Sequence, residues 1–297
     1  MNINNIQQGI DNIHQIKNLA DEGFSNFNPN LLFEAGLNYN VLQLETVEFD
    51  EYLSMVNYKA NYPEYWQAFY EAFQKLKYNN PEHGIYEKAF EQYLAARLIK
   101  KYDYKRIIDI ACDRCPFSSI AVSKLGADYA IAQDFTTAPK TSTYLASNKK
   151  IRILIGNASD LKIDDQSLDF ACLLNSWEHF QAPSDLGVIK ECARILKSKG
   201  RLLIAPLYLR NKAYIETDPS VWSWKQVYDK SKHPNFRTMV PVYLRNNAQV
   251  YDQKCSPSLL GQFINEVPSL HFEITKVEIP HPSLSNNSFF ILQGIKN

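Results

Sequence analysis

The chain has 297 residues, 45% of them apolar and 22% charged, enough to bury a full core in one large or two small domains. Its 32 basic and 32 acidic side chains cancel, which argues against a general nucleic-acid binder, whose affinity rests on excess positive charge. No run approaches the roughly 18 consecutive apolar residues of a membrane span, and the start, Met1 to Asn5, lacks the basic-then-apolar pattern of a signal peptide.

Residues 1 to 45 are polar and weakly patterned, with a helix expected from Asn5 to Ala20 on the spacing of Ile6, Ile10, Ile13 and Ile16. Pro63 opens a second helix, whose Trp66, Phe69, Tyr70, Phe73 and Leu76 fall on one stripe. The segment Asn79 to Gly84 reads as a breaker. A third helix, Tyr86 to Lys101, turns Phe90, Tyr93, Leu94 and Leu98 inward. Residues 1–85 are therefore expected to form a helical extension on a domain spanning 86–297.

From Arg106 onward short apolar strands alternate with helices. Arg106 to Cys112 reads as a buried strand entering a tight loop, and Tyr129 to Asp134 as a second strand that again ends in an acid. Between them Pro116 stands at a first helical position, Phe117, Ile120, Ala121 and Leu125 supply a buried face, and Gly126 ends the helix. Ile151 to Asn157 and Leu168 to Asn175 are the third and fourth strands. Ser184 is a candidate cap for a helix with Leu186, Ile189, Ala193 and Leu196 inward, closed by Gly200 before a fifth strand from Arg201 to Leu209. Strands separated by single helices run parallel. Residues 210–254 break the rhythm and read as an inserted lid or hairpin arm, with Trp222, Trp224, Tyr228 and His233 as candidates to close over a substrate. A short helix after Ser256, then strands His271 to Ile279 and Ser288 to Lys296, close the chain, and the short loop between these last two implies an antiparallel pair.

This pattern resembles the class I S-adenosylmethionine (SAM) dependent methyltransferases, over residues 106–209 and more loosely 256–297. The family's first motif stands as Asp109-Ile-Ala-Cys-Asp-Arg-Cys-Pro-Phe-Ser118, its second-strand acid as Asp134, and its adenine segment as Gly156-Asn-Ala-Ser-Asp-Leu161. The fourth strand and its exit read Leu168-Asp-Phe and Trp177-Glu-His-Phe180, and the helix-to-strand passage reads Ala193-Arg-Ile-Leu-Lys-Ser-Lys-Gly-Arg-Leu-Leu-Ile204. The resemblance implies an α/β, Rossmann-like, seven-stranded, mostly parallel sheet with an antiparallel last strand, an N-terminal helical extension and an inserted lid.

It also implies SAM as cofactor, held by Asp109, Ala111, Asp113, Asp134, Asn157, Ala158, Asp160 and Asn175. Asp134 would take the ribose hydroxyls, as acids at a second strand's end do; the plainer alternative is a strand-end cap. Asn157, Ala158 and Asp160 would meet the adenine, or simply satisfy a turn. Where the family usually has glycines this chain has Ala111, Asp113 and Cys115, and of these Asp tolerates left-handed backbone better than most residues. For a hydroxyl acceptor His179 is the candidate general base, because imidazole titrates near neutrality, with Glu178 second. His179 could instead pack or cap its loop.

Five cysteines hold one C-x-x-C, Cys112 and Cys115, with no second pair to complete a metal site; they read as reduced thiols. The expected protein is a cytoplasmic methyltransferase acting on a small molecule, by O-methylation of a sugar, glycan precursor or secondary metabolite, without metal or general nucleic-acid binding. The competing reading is a degenerate methyltransferase-like partner protein that binds no SAM. A nicotinamide dehydrogenase is disfavoured because G-x-G-x-x-G is missing.

Overall fold

A computed structural model describes residues 27–56, 81–113, 115–135, 148–218, 240–244, 249–284 and 288–297. The helices expected at 5–20 and along the Trp66–Leu76 stripe, and the lid residues Trp222, Trp224, Tyr228 and His233, lie outside the described residues. In chain order the strands are β1 (Tyr39–Gln43), β2 (Arg106–Ile110), β3 (Tyr129–Asp134), β4 (Ile151–Ile155), β5 (Leu168–Leu174), β6 (Leu196–Ala205), β7 (Tyr214–Thr217), β8 (Val242–Leu244), β9 (Asp252–Lys254), β10 (Leu270–Glu278) and β11 (Ser288–Lys296). The helices are α1 (Asn30–Glu34), α2 (Thr46–Val56), α3 (Pro81–Tyr102), α4 (Phe117–Lys124), α5 (Ser184–Ile195) and α6 (Pro257–Asn265).

The chain divides into two compact units. The larger, residues 39–176, 187–207 and 267–297, is built on an eight-stranded sheet ordered β1-β10-β11-β6-β5-β2-β3-β4. Only β11 runs against its neighbours: it is antiparallel to β10 and to β6, whereas the other pairings are parallel. This is the expected sheet with one strand added. The addition, β1, pairs residue for residue with β10 from Tyr39↔Ile274 to Gln43↔Glu278. The N-terminal extension is therefore not wholly helical. Five residues, Tyr39-Asn-Val-Leu-Gln43, carry too short an alternation to stand out, and the edge of β10 supplies their hydrogen bonds.

Strand β2 is short and apolar because it is covered on both faces. Ile107, Ile108 and Ile110 are fully buried, and each contributes roughly 1.5–3 kcal/mol of apolar burial. On the side of Ile107 the sheet meets α2, α3 and α4 through Phe49, Phe90, Tyr93, Ile99, Phe117 and Ile120. Helix α3 starts at Pro81 and runs through Gly84, so the expected breaker there is wrong. Pro is tolerated in a first helical turn, where its missing N–H has no intrahelical partner. Of the four residues expected inward, Phe90, Tyr93 and Leu94 are buried and Leu98 is half-buried.

Gly200 does not close a helix. Helix α5 ends at Ile195 and β6 begins at Leu196, so Lys197 to Gly200 lie within the strand, at a bulge between the pairs Leu168↔Leu196 and Phe170↔Arg201. A Cβ at Gly200 would stand 2.9 Å from the Lys197 carbonyl oxygen and 3.1 Å from that of Asp169, both backbone atoms. Gly200→Ala is expected to destabilise the protein by about 1–3 kcal/mol, read as a lower urea midpoint; an unchanged midpoint would show that the bulge adapts. Nearby, Asp169 accepts the backbone N–H of Lys105 (3.0 Å) and Arg106 (2.8 Å) and the Lys197 ammonium (2.8 Å). Burial works to raise this carboxyl, but the Lys197 and backbone donors outweigh it and hold it below its ordinary range. Asp169 thereby fastens the start of β2 to β5, beside a cavity of about 630 Å3 lined by Tyr102, Tyr129 and Lys199.

The smaller unit comprises residues 1–38, 177–186 and 208–266. Its three-stranded sheet is ordered β8-β7-β9, with β8 parallel and β9 antiparallel to β7. The described part of the expected insert is thus a small mixed sheet rather than a hairpin arm. Ile215, Val242 and Tyr251 form its core. Pro257 opens α6, and the Ser256 hydroxyl caps it by accepting the Leu259 N–H at 3.2 Å. Among the described residues no helix is long and apolar enough to cross a membrane.

Candidate active site

The strands of a parallel sheet all end on one edge, and in such sheets the loops at the carboxyl edge carry ligands. Here the ends of β2, β3, β4 and β5 and the loops after them hold the residues expected to bind cofactor, apart from Asp109, which lies within β2. Ala111 and Asp113 both adopt left-handed backbone, at φ 53° and 43°, as does Asn175 at φ 51°. Such a conformation costs an L-residue roughly 1–2 kcal/mol, so other contacts must hold it.

Three successive N–H groups of the first loop supply those contacts, and all point to the end of β3. Ala111 donates to the Gln133 side-chain oxygen (3.2 Å), Cys112 to the Gln133 carbonyl (3.0 Å), and Asp113 to Asp134 Oδ2 (2.7 Å). Gln133 Nε2 in turn donates to the Gly156 carbonyl (2.7 Å), and the Gly156 N–H returns to the Asp134 carbonyl (2.9 Å). Ser176 Oγ donates to the Ile110 carbonyl at 3.3 Å, and the Asn175 N–H to Ala205 at 2.8 Å, which ties the end of β5 to β2 and β6. Ala111, Asp113 and Asp134 are thus brought together directly.

Asn157, Ala158 and Asp160 form the next turn. Asn157 Oδ1 accepts the Ser159 N–H at 2.9 Å, an Asx turn, and Asp160 N–H donates to the Asn157 carbonyl at 3.0 Å. Ala158 is buried. The Asp160 carboxylate pairs with Lys162 at 2.9 Å, both well exposed, a pair that adds little to stability. Behind this turn Gly187 of α5 lets the helix come close: a Cβ there would meet the Ser159 side chain at 2.8 Å.

Asp109 lies beneath the loop rather than in it. It is 1% exposed, registered between Ala132 of β3 and Cys172 of β5, with a Cys172 thiol contact at 3.8 Å and no hydrogen-bond partner for Oδ2 among the described residues. Burial first, and the Asp134 charge second, push its carboxyl up to about 8, against weaker help from the Cys172 and Cys115 thiols. Burial likewise pushes the Cys112, Cys115 and Cys172 thiols up. All five cysteines are unpaired by disulfides.

Glu178 and His179 stand two and three residues after Ser176, in a 3₁₀ turn over Trp177–His179 that belongs to the smaller unit. Trp177 anchors the turn, with its Nε1 donating to the Asp185 carbonyl at 3.0 Å and its ring edge-on to Phe263. His179 Nδ1 lies 2.9 Å from the Tyr251 carbonyl, and Nε2 lies 3.6 Å from the buried Glu178 carboxylate. A carbonyl can only accept, so Nδ1 carries a proton in this contact.

Sequence reasoning missed Gln133 and Gly187. The signal for Gln133 was present, as an amide inside an otherwise apolar strand, Tyr129-Ala-Ile-Ala-Gln-Asp134; Gly187 sits mid-helix, where glycine needs a reason.

A sequence family described as "Methyltransferase domain" matches residues 109–204, about a third of the chain, from the Asp109 loop to the end of β6. Residues 109–204 are similar to a methyltransferase domain. No curated protein matches the chain. Among solved structures, YcgJ of Bacillus subtilis is 14% identical, with 70% of this chain and 98% of that one covered and a TM-score of 0.45. A 1,6-didemethyltoxoflavin N1-methyltransferase of Burkholderia thailandensis, solved with S-adenosylhomocysteine, is 13% identical over 80% of this chain and 91% of that one, at TM-score 0.47. A SAM-dependent methyltransferase of Thermotoga maritima is 18% identical over 77% and 100%, at TM-score 0.44. Likeness at this level identifies no activity. The fold stands on the sheet's own strand order and on the reversed β11.

Proposed function

We propose that the chain transfers a methyl group from SAM to a hydroxyl of a small molecule, with a sugar, glycan precursor or secondary metabolite as the acceptor class. The observation that carries the reading is the convergence at one sheet edge of a left-handed loop, Ala111–Asp113, on the acid that ends β3, Asp134. The residues fit the cofactor. Asp134, at the end of β3, supports this reading because a carboxylate at a second strand's end can accept from ribose hydroxyls. Helix α4 begins at Phe117, close behind the first loop, with no side-chain cap from Pro116. Asn157 and Ala158 lie in the turn beyond, on the adenine side of that reading.

SAM, when bound, supplies a methyl carbon made electrophilic by its sulfonium. The protein's own part is alignment and proton removal. Alignment of nucleophile and methyl is worth up to roughly 7–11 kcal/mol. His179 Nε2 takes the acceptor's proton while Tyr251 holds the ring through Nδ1, and Glu178 stabilises the imidazolium that results.

Calorimetry with SAM tests the cofactor assignment. The wild-type protein is expected to bind saturably, and Asp134→Ala to bind at least tenfold more weakly, since hydrogen bonds to a charged group contribute about 1.5–3 kcal/mol each. A folded wild-type protein that gives neither heat nor a thermal shift with millimolar SAM would favour the degenerate partner protein instead.

A further inference from the structure

The first loop lacks the glycines that a left-handed path favours, yet Ala111 follows that path. We propose that Gln133 is a positioning residue that takes over the glycines' work: its side-chain amide holds Ala111 in the left-handed conformation and locks the first loop to the loop after β4, so that the cofactor crevice is formed before any ligand arrives. This rests on the reading of the carboxyl edge as a SAM site.

The chemistry of the amide is specific. Gln133 is 1% exposed, so each polar atom at its tip must find a partner. Ala111 presents a donor at 3.2 Å and Gly156 an acceptor at 2.7 Å, which fixes Oε1 toward the first loop and Nε2 toward the second. The backbone carbonyl of the same residue takes the Cys112 N–H, so one residue grips both loops at three points. A shorter Asn would not span the gap, an ionised Glu would set oxygen against the Gly156 carbonyl, and an apolar side chain would leave both groups buried without partners. Asp134, next in sequence, accepts the Asp113 N–H of this loop.

The test is a cycle of Gln133→Met, Ala111→Gly and the double variant, read by SAM calorimetry. Met keeps the volume and removes both polar ends. Gln133→Met is expected to weaken SAM roughly tenfold, about 1.4 kcal/mol, and Ala111→Gly in that background to recover affinity to within about threefold of wild type, because glycine adopts the left-handed path unaided. A residue that merely supported the fold would not be rescued at Ala111. Gln133→Met with wild-type affinity, or a double variant no better than the single, would overturn the proposal. Gln133→Glu is the second variant: it is expected to bind as wild type while its carboxyl is protonated and to lose affinity as that group ionises, and a flat pH profile counts against the proposal. Hydrogen exchange at the Ala111 amide, without ligand, separates the two readings. Protection there should fall at least tenfold in Gln133→Met even if wild-type protein binds no SAM; unchanged protection would sink the role of Gln133 alone.

Discussion

Asp109→Asn is expected to make the protein more stable than wild type at pH 8 and nearly equal to it at pH 4. In the unfolded chain an aspartate ionises near 3.9. In the fold, burial and the Asp134 charge raise Asp109 to about 8. Between those two values the unfolded state has released this proton and the folded state has kept it. The unfolded state then binds fewer protons, so stability falls as pH rises, by about 1.4 kcal/mol per pH unit for this one group, and levels off above pH 8. The groups that face Asp109 do not reverse the sign: Asp134 is an acid, and Cys112, Cys115 and Cys172 are thiols whose own ionisation is pushed up. Asn is isosteric with the protonated acid and does not titrate. Urea midpoints of the two proteins at pH 5, 6, 7 and 8 should therefore diverge steadily. Parallel curves would mean that Asp109 is ionised in the fold, with a cation or water as its unseen partner.

His179→Ala should lower turnover roughly 10²–10⁴-fold, the usual contribution of a positioned general base, and leave SAM affinity unchanged. The side chain meets three conditions for the role. It is one-third exposed, its Nδ1 is held by a carbonyl, and its Nε2 lies 3.6 Å from a buried carboxylate. Glu178→Gln should then cost less, about tenfold, because it removes the charge and not the base. Single-turnover rates with labelled SAM, on an acceptor found in a metabolite extract, would read both. Equal loss of SAM affinity and turnover in His179→Ala would assign the ring to the architecture of its turn.

Much of the sheet was legible from local pattern. Strands β2, β3 and β5 announce themselves as short apolar runs, and a single helix between parallel strands leaves few arrangements open. The acids at the ends of β2 and β3 were visible too, since strand ends are punctuated by the chain itself. Where local signal was contradictory the reading failed. Pro81 and Gly84 look like a break but begin a helix of 22 residues, because Ala89, Phe90, Tyr93, Ala96 and Ile99 bury one face of it. Gly200 looks like a helix stop but allows two backbones to approach.

The sequence by itself determined the alternation of strands and helices, the chemistry available at the carboxyl edge and the absence of glycine from the first loop, because period, turn residues and residue type are local properties. Only the tertiary structure decided that Tyr39–Gln43 completes the sheet, that Gln133 spans two loops, and that burial raises the Asp109 carboxyl. Each of those depends on which distant groups surround a residue. The surroundings set its hydrogen-bond partners and its access to water, and no window of neighbouring residues contains them.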